Sequence, residues 1–136
     1  MSFEIVNPKS LGEPKGWNNG LLAPPGGRLL FVAGQAGWET DAAGDPPGFP
    51  EQFGRALDKV LAVVREAGGR PEDVGRVTIY VTDLPAYQAS RKALGEIWRA
   101  RLGKHYPAVA MLEVKGLVDR GAVVEIEATA VLGGTR

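Results

Sequence analysis

Apolar and polar positions follow two different periods along this chain, and each period ends at a recognisable stop. Phe3 to Val6 reads as a short strand, Leu11 to Gly20 as an irregular polar stretch around Trp17, and Leu21 to Ala23 as a return to apolar character. Pro24-Pro25-Gly26-Gly27 is a turn signal, so Leu29 to Ala33 is expected to pair back as a hairpin. Gly34 to Gly48 mixes glycine, proline and aspartate and reads as a long loop. From Phe49 to Ala67 the period becomes helical. Phe53, Leu57, Val60, Leu61 and Val64 fall on one stripe, Pro50 suits the first turn, and Gly68-Gly69 ends it.

A second cycle follows. Val77, Ile79 and Val81 alternate with Arg76, Thr78 and Tyr80, which predicts a strand with one buried face. Thr82 or Asp83 is placed to cap the next helix, with Pro85 in its first turn. That helix is expected to bury Tyr87, Leu94, Ile97, Trp98 and Leu102 and to stop at Gly103. Val109 to Val114 and Ala122 to Val131 read as closing strands joined by a turn around Asp119-Arg120-Gly121. The order β-β-β-α-β-α-β-β predicts an α+β sandwich with both helices on one sheet face.

Such an arrangement leaves one sheet face bare. Leu29, Leu30, Phe31 and Val32 are apolar on both faces of their strand, and a continuous apolar run means burial on both sides. The expectation is an oligomer packed sheet against sheet. The competing reading is a strand buried on one side with a few exposed apolar residues.

Composition narrows the function classes. The 136 residues form one domain (1–136), long enough to bury a core. Sixteen basic residues balance sixteen acidic ones, so nothing draws the chain towards nucleic acid or anionic membrane. No cysteine is present, which excludes disulfides, thiolate nucleophiles and Cys-ligated zinc. No apolar run is long enough to span a bilayer, and the N-terminus lacks the pattern of a signal peptide, so the expected location is cytoplasmic. One histidine and the serines Ser2, Ser10 and Ser90 give no Ser-His-Asp pattern and no Gly-x-Ser-x-Gly. His105 reads as a cap on the last carbonyls of the second helix. Gly34-Gln35-Ala36-Gly37 lacks the ending of a phosphate loop, and its glycines suit close approach to a ligand or a neighbouring subunit. Trp38, Trp98, Phe49 and Phe53 read as packing residues, and no cluster suggests a metal.

Val124-Glu125-Ile126-Glu127-Ala128 puts two carboxylates on one strand face, two residues apart. Carboxylates so placed raise one another's pKa and suit proton transfer. Salt bridges at a polar subunit interface, or simple solvation, are the structural alternative.

A family resemblance is carried by Val32-Ala33-Gly34-Gln35, Gln52 ahead of Ala56-Leu57-Asp58-Lys59-Val60, Ala67-Gly68-Gly69, and Pro71-Glu72-Asp73-Val74. Thr78 through Leu84, Pro107-Ala108 and Val124 through Ala128 complete it. In this order they resemble the RidA (reactive intermediate deaminase A) family, also called YjgF or L-PSP endoribonuclease, from about Trp17 to Val131. The resemblance implies a chorismate-mutase-like fold with a mixed sheet, a homotrimer, and clefts at the subunit interfaces. It also implies hydrolysis of enamines and imines such as 2-aminoacrylate to 2-oxo acids and ammonia, with no cofactor.

Carried over position by position, the resemblance keeps one part of the family's site and changes three. Glu125 retains the water-activating glutamate. Trp17 stands for a tyrosine, Ala33 for a serine, and Val109 for the arginine of a Pro-Ala-Arg motif that binds the substrate carboxylate. A charge-assisted bond to a carboxylate is worth about 1.5–3 kcal/mol, so its loss weakens discrimination for small imino acids. The implied site has Glu125 as the catalytic group. Trp17, Ala33, Gly34, Gln35, Val109 and Met111 line a more apolar substrate pocket, and Glu127 is structural. Arg101, Lys104, Lys115 and Arg120 are the candidates to restore the charge.

Two functions remain in view. One is a divergent RidA-type deaminase or hydrolase acting through Glu125. The other is a non-catalytic trimer that binds a small metabolite or acts as a chaperone or regulator. Ribonuclease action ranks below both, because a neutral chain without a basic aromatic stripe gives RNA little to hold.

Overall fold

The computed structural model describes residues 3–133. Strands β1 (Glu4–Val6) and β2 (Gly20–Leu22) form an antiparallel ribbon. Four longer strands make the main sheet: β3 (Arg28–Ala36), β4 (Val74–Val81), β5 (Ala108–Glu113) and β6 (Val124–Leu132), in the order β3-β6-β4-β5. Only β4 and β5 run parallel, and their crossover carries α2 (Leu84–Ala89) and α3 (Arg91–Leu102). Helix α1 (Phe49–Glu66) lies between β3 and β4 in the chain and packs on β3, β6 and α3. The α+β architecture with helices on one sheet face is the one the element order predicts, and the mixed sheet is the one the family resemblance implies.

The core follows from the two periods. Phe53, Leu57, Val60, Leu61 and Val64 of α1 are buried against Val124, Ile126, Ala128, Ala130 and Leu132, the alternate residues of β6. Each large side chain so buried contributes about 1.5–3 kcal/mol. Helix α1 ends where Gly68 turns to φ +88°. The Gly69 N–H then reaches the Val64 carbonyl (2.9 Å) and the Gly68 N–H reaches that of Arg65 (2.8 Å). Asp83 caps α2 by accepting the Ala86 N–H at 3.2 Å.

Four expectations are corrected. The turn after β2 does not close a hairpin: β2 pairs with β1, while β3 takes β6, about a hundred residues on, as its partner. The closing strands are not neighbours either, because β4 lies between β5 and β6. The loop expected from Gly34 begins only after Ala36, where β3 ends. The second helix is two: Ser90 ends α2 through its N–H on the Tyr87 carbonyl, and its own carbonyl starts α3 by accepting the Leu94 N–H.

The second sheet face carries no helix. It presents Leu29 and Phe31 of β3, Arg76, Thr78 and Tyr80 of β4, and Glu125, Glu127 and Thr129 of β6. Leu29 is 63% exposed and Phe31 75%, so this chain alone leaves apolar surface in water.

Candidate functional site

Glu125 is placed by an irregularity in β3. Val32 pairs with Ala128 but Gln35 with Ile126, so three steps along β3 match two along β6. The extra residue is a β-bulge at Ala33–Gly34. A Cβ on Gly34 would lie 3.0 Å from Glu125 Cδ and closer still to its Oε2, so glycine is what lets the carboxylate lie across the bulge. Gln35 folds back, its Nε2 donating to the Ala33 carbonyl at 3.0 Å. Glu125, Ala33, Gly34 and Gln35 therefore form one cluster on the rim of the helix-free face.

Glu127 sits two residues on and is engaged. It accepts the Tyr80 hydroxyl at 2.8 Å, beside a hollow of about 180 Å³ lined by Phe31, Arg76 and Thr78. That hydrogen bond, aided by desolvation and the carboxylate's charge, pushes the Tyr80 phenol above its ordinary pKa.

Trp17 is placed by asparagines. Asn18 donates its backbone N–H to the Pro107 carbonyl (3.1 Å) and its Nδ2 to that of Tyr106 (2.6 Å), tying the loop to the entry of β5. Asn7 braces both sides, donating to Asn18 Oδ1 (2.8 Å) and accepting the Asn19 N–H (2.7 Å). Trp17 then lies over the β5 edge, half exposed, with its Nε1–H on Asn19 Oδ1. With Val109 it lines a shallow hollow of about 220 Å³ that also includes Arg76.

On the helix side, two adjoining hollows of about 340 and 410 Å³ share Gly16, Tyr87, Arg91, Trp98 and Met111. They form one cleft between the Lys15–Trp17 loop, β5 and the α2–α3 junction. Trp17 and Val109 line the larger of the two hollows.

Trp17, Val109 and Met111 thus come together, and so do Ala33, Gly34, Gln35 and Glu125. The two groups do not meet within one chain. Val109 and Met111 pack on the helix side of the sheet, whereas Glu125 is on the other side. Glu125 stands level with Tyr80 and Leu112, three residues further along β5 than Val109 and two strands away. That is about 10 Å along the strands and about 10 Å across them.

The cations named from the sequence are not at the cleft. Arg101 is bound to Asp58 (Nε to Oδ1, 2.6 Å) and to the Ile97 carbonyl. Arg120 sits on the loop where Thr40 meets Asp119, and none of Arg101, Lys104, Lys115 or Arg120 lines either hollow. Arg91, missed in the sequence because it reads as a solvated helix position, does. His105 is also corrected. Its ring contacts the Val74 carbonyl through Nε2 (2.6 Å), and its backbone N–H, not its ring, caps the Leu102 carbonyl. Gln52 proves structural and fully buried. Its Nε2 donates to the Pro47 and Gly121 carbonyls (3.0 and 2.9 Å), and its Oε1 accepts the Val123 N–H (2.9 Å). Among the described residues no group of three potential metal ligands assembles, and no helix is long and apolar enough to cross a membrane.

The chain is similar in sequence and fold to known proteins. The family model described as endoribonuclease L-PSP matches residues 16–132. A RutC family protein of Aquifex aeolicus is 33% identical over 103 residues, covering 76% of this chain and 80% of that one. The 2-iminobutanoate/2-iminopropanoate deaminase of Escherichia coli is 30% identical over 105 residues, covering 77% and 80%. Among solved structures, a conserved Rid-family protein of Yersinia pestis is 29% identical and superposes with a TM-score of 0.80 over 97% of this chain and all of that one. The chain belongs to the endoribonuclease L-PSP family, the family of the RidA, YjgF and RutC proteins.

Proposed function

We propose that this chain is a divergent RidA-type hydrolase that works as a homotrimer. It deaminates a small enamine- or imine-like metabolite in clefts between subunits, with no cofactor. The observation that carries the proposal is the position of Glu125, held over Gly34 on the same helix-free sheet face that exposes Leu29 and Phe31 further along the strands. A second copy covering that apolar face brings its own surface to the Glu125 carboxylate. The separation of Glu125 from Trp17, Val109 and Met111 within one chain supports a site completed by a neighbour.

The chemistry asked of Glu125 is general base catalysis. The carboxylate takes a proton from a water as its oxygen adds to the C=N carbon. It gives that proton to the imine nitrogen to form the neutral carbinolamine, and then carries the carbinolamine's hydroxyl proton to the same nitrogen. The C–N bond breaks, the carbonyl forms, and ammonia leaves. One water is consumed and no redox partner is needed. The deaminase relative from Escherichia coli supports this class of reaction.

Val109 supports a narrower claim about substrate and keeps a second reading open. An apolar residue where the family's carboxylate-binding arginine is expected argues against efficient turnover of the smallest imino acids. It equally suits a trimer that binds a metabolite without converting it.

Ammonia release from enzymatically generated 2-aminoacrylate tests both points. The wild type is expected to be slow, and Val109→Arg faster by roughly tenfold or more. Robust wild-type turnover would sink the argument from Val109. Across a panel of bulkier imines, Glu125→Ala is expected to abolish whatever turnover the wild type shows. Turnover that survives the change removes Glu125 from the mechanism, and a panel with no turnover favours the binding protein.

A further inference from the structure

We propose that Arg91 is the carboxylate-binding residue of the cleft at the β5 edge, and that the ligand there is a carboxylate with a flat apolar body. This deepens the proposed function and rests on that cleft being the metabolite site.

The charge pattern comes first. The chain as a whole is neutral, with sixteen charges of each sign. The cleft is not: Lys15, Arg91 and Arg99 line it, and no carboxylate does. Among the described residues none of these three cations is in an ion pair, whereas Arg101 and Lys59 both are. A one-sign lining on a neutral protein concentrates ligands of the opposite sign. A guanidinium offers a planar fork that fits a carboxylate with two parallel hydrogen bonds.

Position selects Arg91 among the three. It lines both hollows and so stands at their junction, whereas Lys15 borders only the one beside Trp17 and Arg99 only the one beside Leu94 and Gly95. The break at Ser90 puts it there. Tyr87 lies in the last turn of α2 and Arg91 opens α3, and the two side chains line the same hollows.

The rest of the lining describes the ligand's body. Trp17, Tyr87, Trp98, Val109 and Met111 offer flat and apolar surface around the guanidinium. A cleft of about 410 Å³ falls in the range that holds drug-sized ligands. A three- or four-carbon acid would leave most of that surface without contact. Valine at 109 then extends the apolar wall, and the charge enters from the opposite side of the cleft.

The tryptophans supply the readout. Trp17 and Trp98 line the cleft, and Trp38 lies in a separate cluster with Ala36 and Ala122. Phenylacetate and its neutral isostere phenylacetamide serve as probes, titrated into the native assembly while the three indole N–H resonances are followed by NMR. Phenylacetate is expected to shift the Trp17 and Trp98 signals and leave Trp38 in place. Arg91→Gln is expected to raise its Kd by roughly tenfold or more, with Arg91→Lys in between. Phenylacetamide is expected to bind more weakly and alike to all three proteins. Equal Kd values for phenylacetate in wild type and Arg91→Gln overturn the proposal. So does a wild type that does not prefer the carboxylate, or one whose Trp17 and Trp98 signals do not move. Because the readout is binding, it stands apart from the Glu125 test. Loss of turnover in Glu125→Ala with unchanged probe binding in Arg91→Gln would discard this inference alone.

Discussion

The two faces of the main sheet use the same strands for opposite ends. On the helix side Val124, Ile126, Ala128 and Ala130 of β6 are buried, sealed by α1. On the bare side Glu125, Glu127, Thr129 and Val131 alternate with them and stay partly open. Leu29 and Phe31 next to them are as apolar as anything in the core, yet most of their surface meets water. The difference teaches where each kind of energy is spent. Burial on one face stabilises the single chain, while the other face leaves charge, phenol and apolar surface partly in water.

The largest effect expected from breaking this contrast is on the sealed side. Ile126→Ala removes a fully buried side chain at the centre of the sheet, which costs about 2–5 kcal/mol. Urea denaturation should show that loss, and Thr129→Ala, on the same strand but the other face, should change stability by far less. Similar losses at both positions would mean that the bare face is already packed.

Next in size is the effect on assembly. Phe31→Asp places a charge at the most exposed large apolar residue of the bare face. Sedimentation is expected to show the wild type as a trimer and Phe31→Asp as a smaller species with unchanged far-ultraviolet circular dichroism. A wild type that sediments as a monomer would remove the sheet-to-sheet assembly and with it the completed cleft.

How much of this could be read from the chain depended on whether the signal was local. Helix α1 was legible because its stripe and its Gly68-Gly69 stop lie within one segment. The faces of β6 were legible because charge and apolar residues alternate without exception from Val124 to Ala128. Partner choice was not. The turn at Pro24–Gly27 gave no sign that β3 would pair with β6, since pairing is decided by tertiary packing. Strand β5 carries no polar residue before Glu113, so its alternation could not say that Val109 and Met111 face the helices. The predicted site was a single group implied by the family resemblance, and only the fold shows that within one chain it divides between opposite faces of the sheet. Ser90 breaks a helix without glycine or proline, so the position of Arg91 at the cleft was hidden. Gln52 was hidden because a buried glutamine on a helix looks like any polar surface residue until its three partners are in place.

The smallest expected effect concerns the polar pair on the bare face. Glu127 accepts the Tyr80 hydroxyl, so the folded protein holds that proton more tightly than an unfolded chain does. The sign follows from linkage. A folded pKa above the unfolded value of about 10 gives stabilisation that is complete below that pH and is lost as pH rises through the folded value. Ultraviolet titration of the phenols is expected to show one ionising above the ordinary range in the wild type. Glu127→Ala should bring it back towards that range, and Tyr80→Phe should remove it. Tyr80 ionising normally in the wild type would mean that Glu127 is free to face the ligand beside Glu125. The assignment of proton transfer to Glu125 alone would then have to be shared between the two carboxylates.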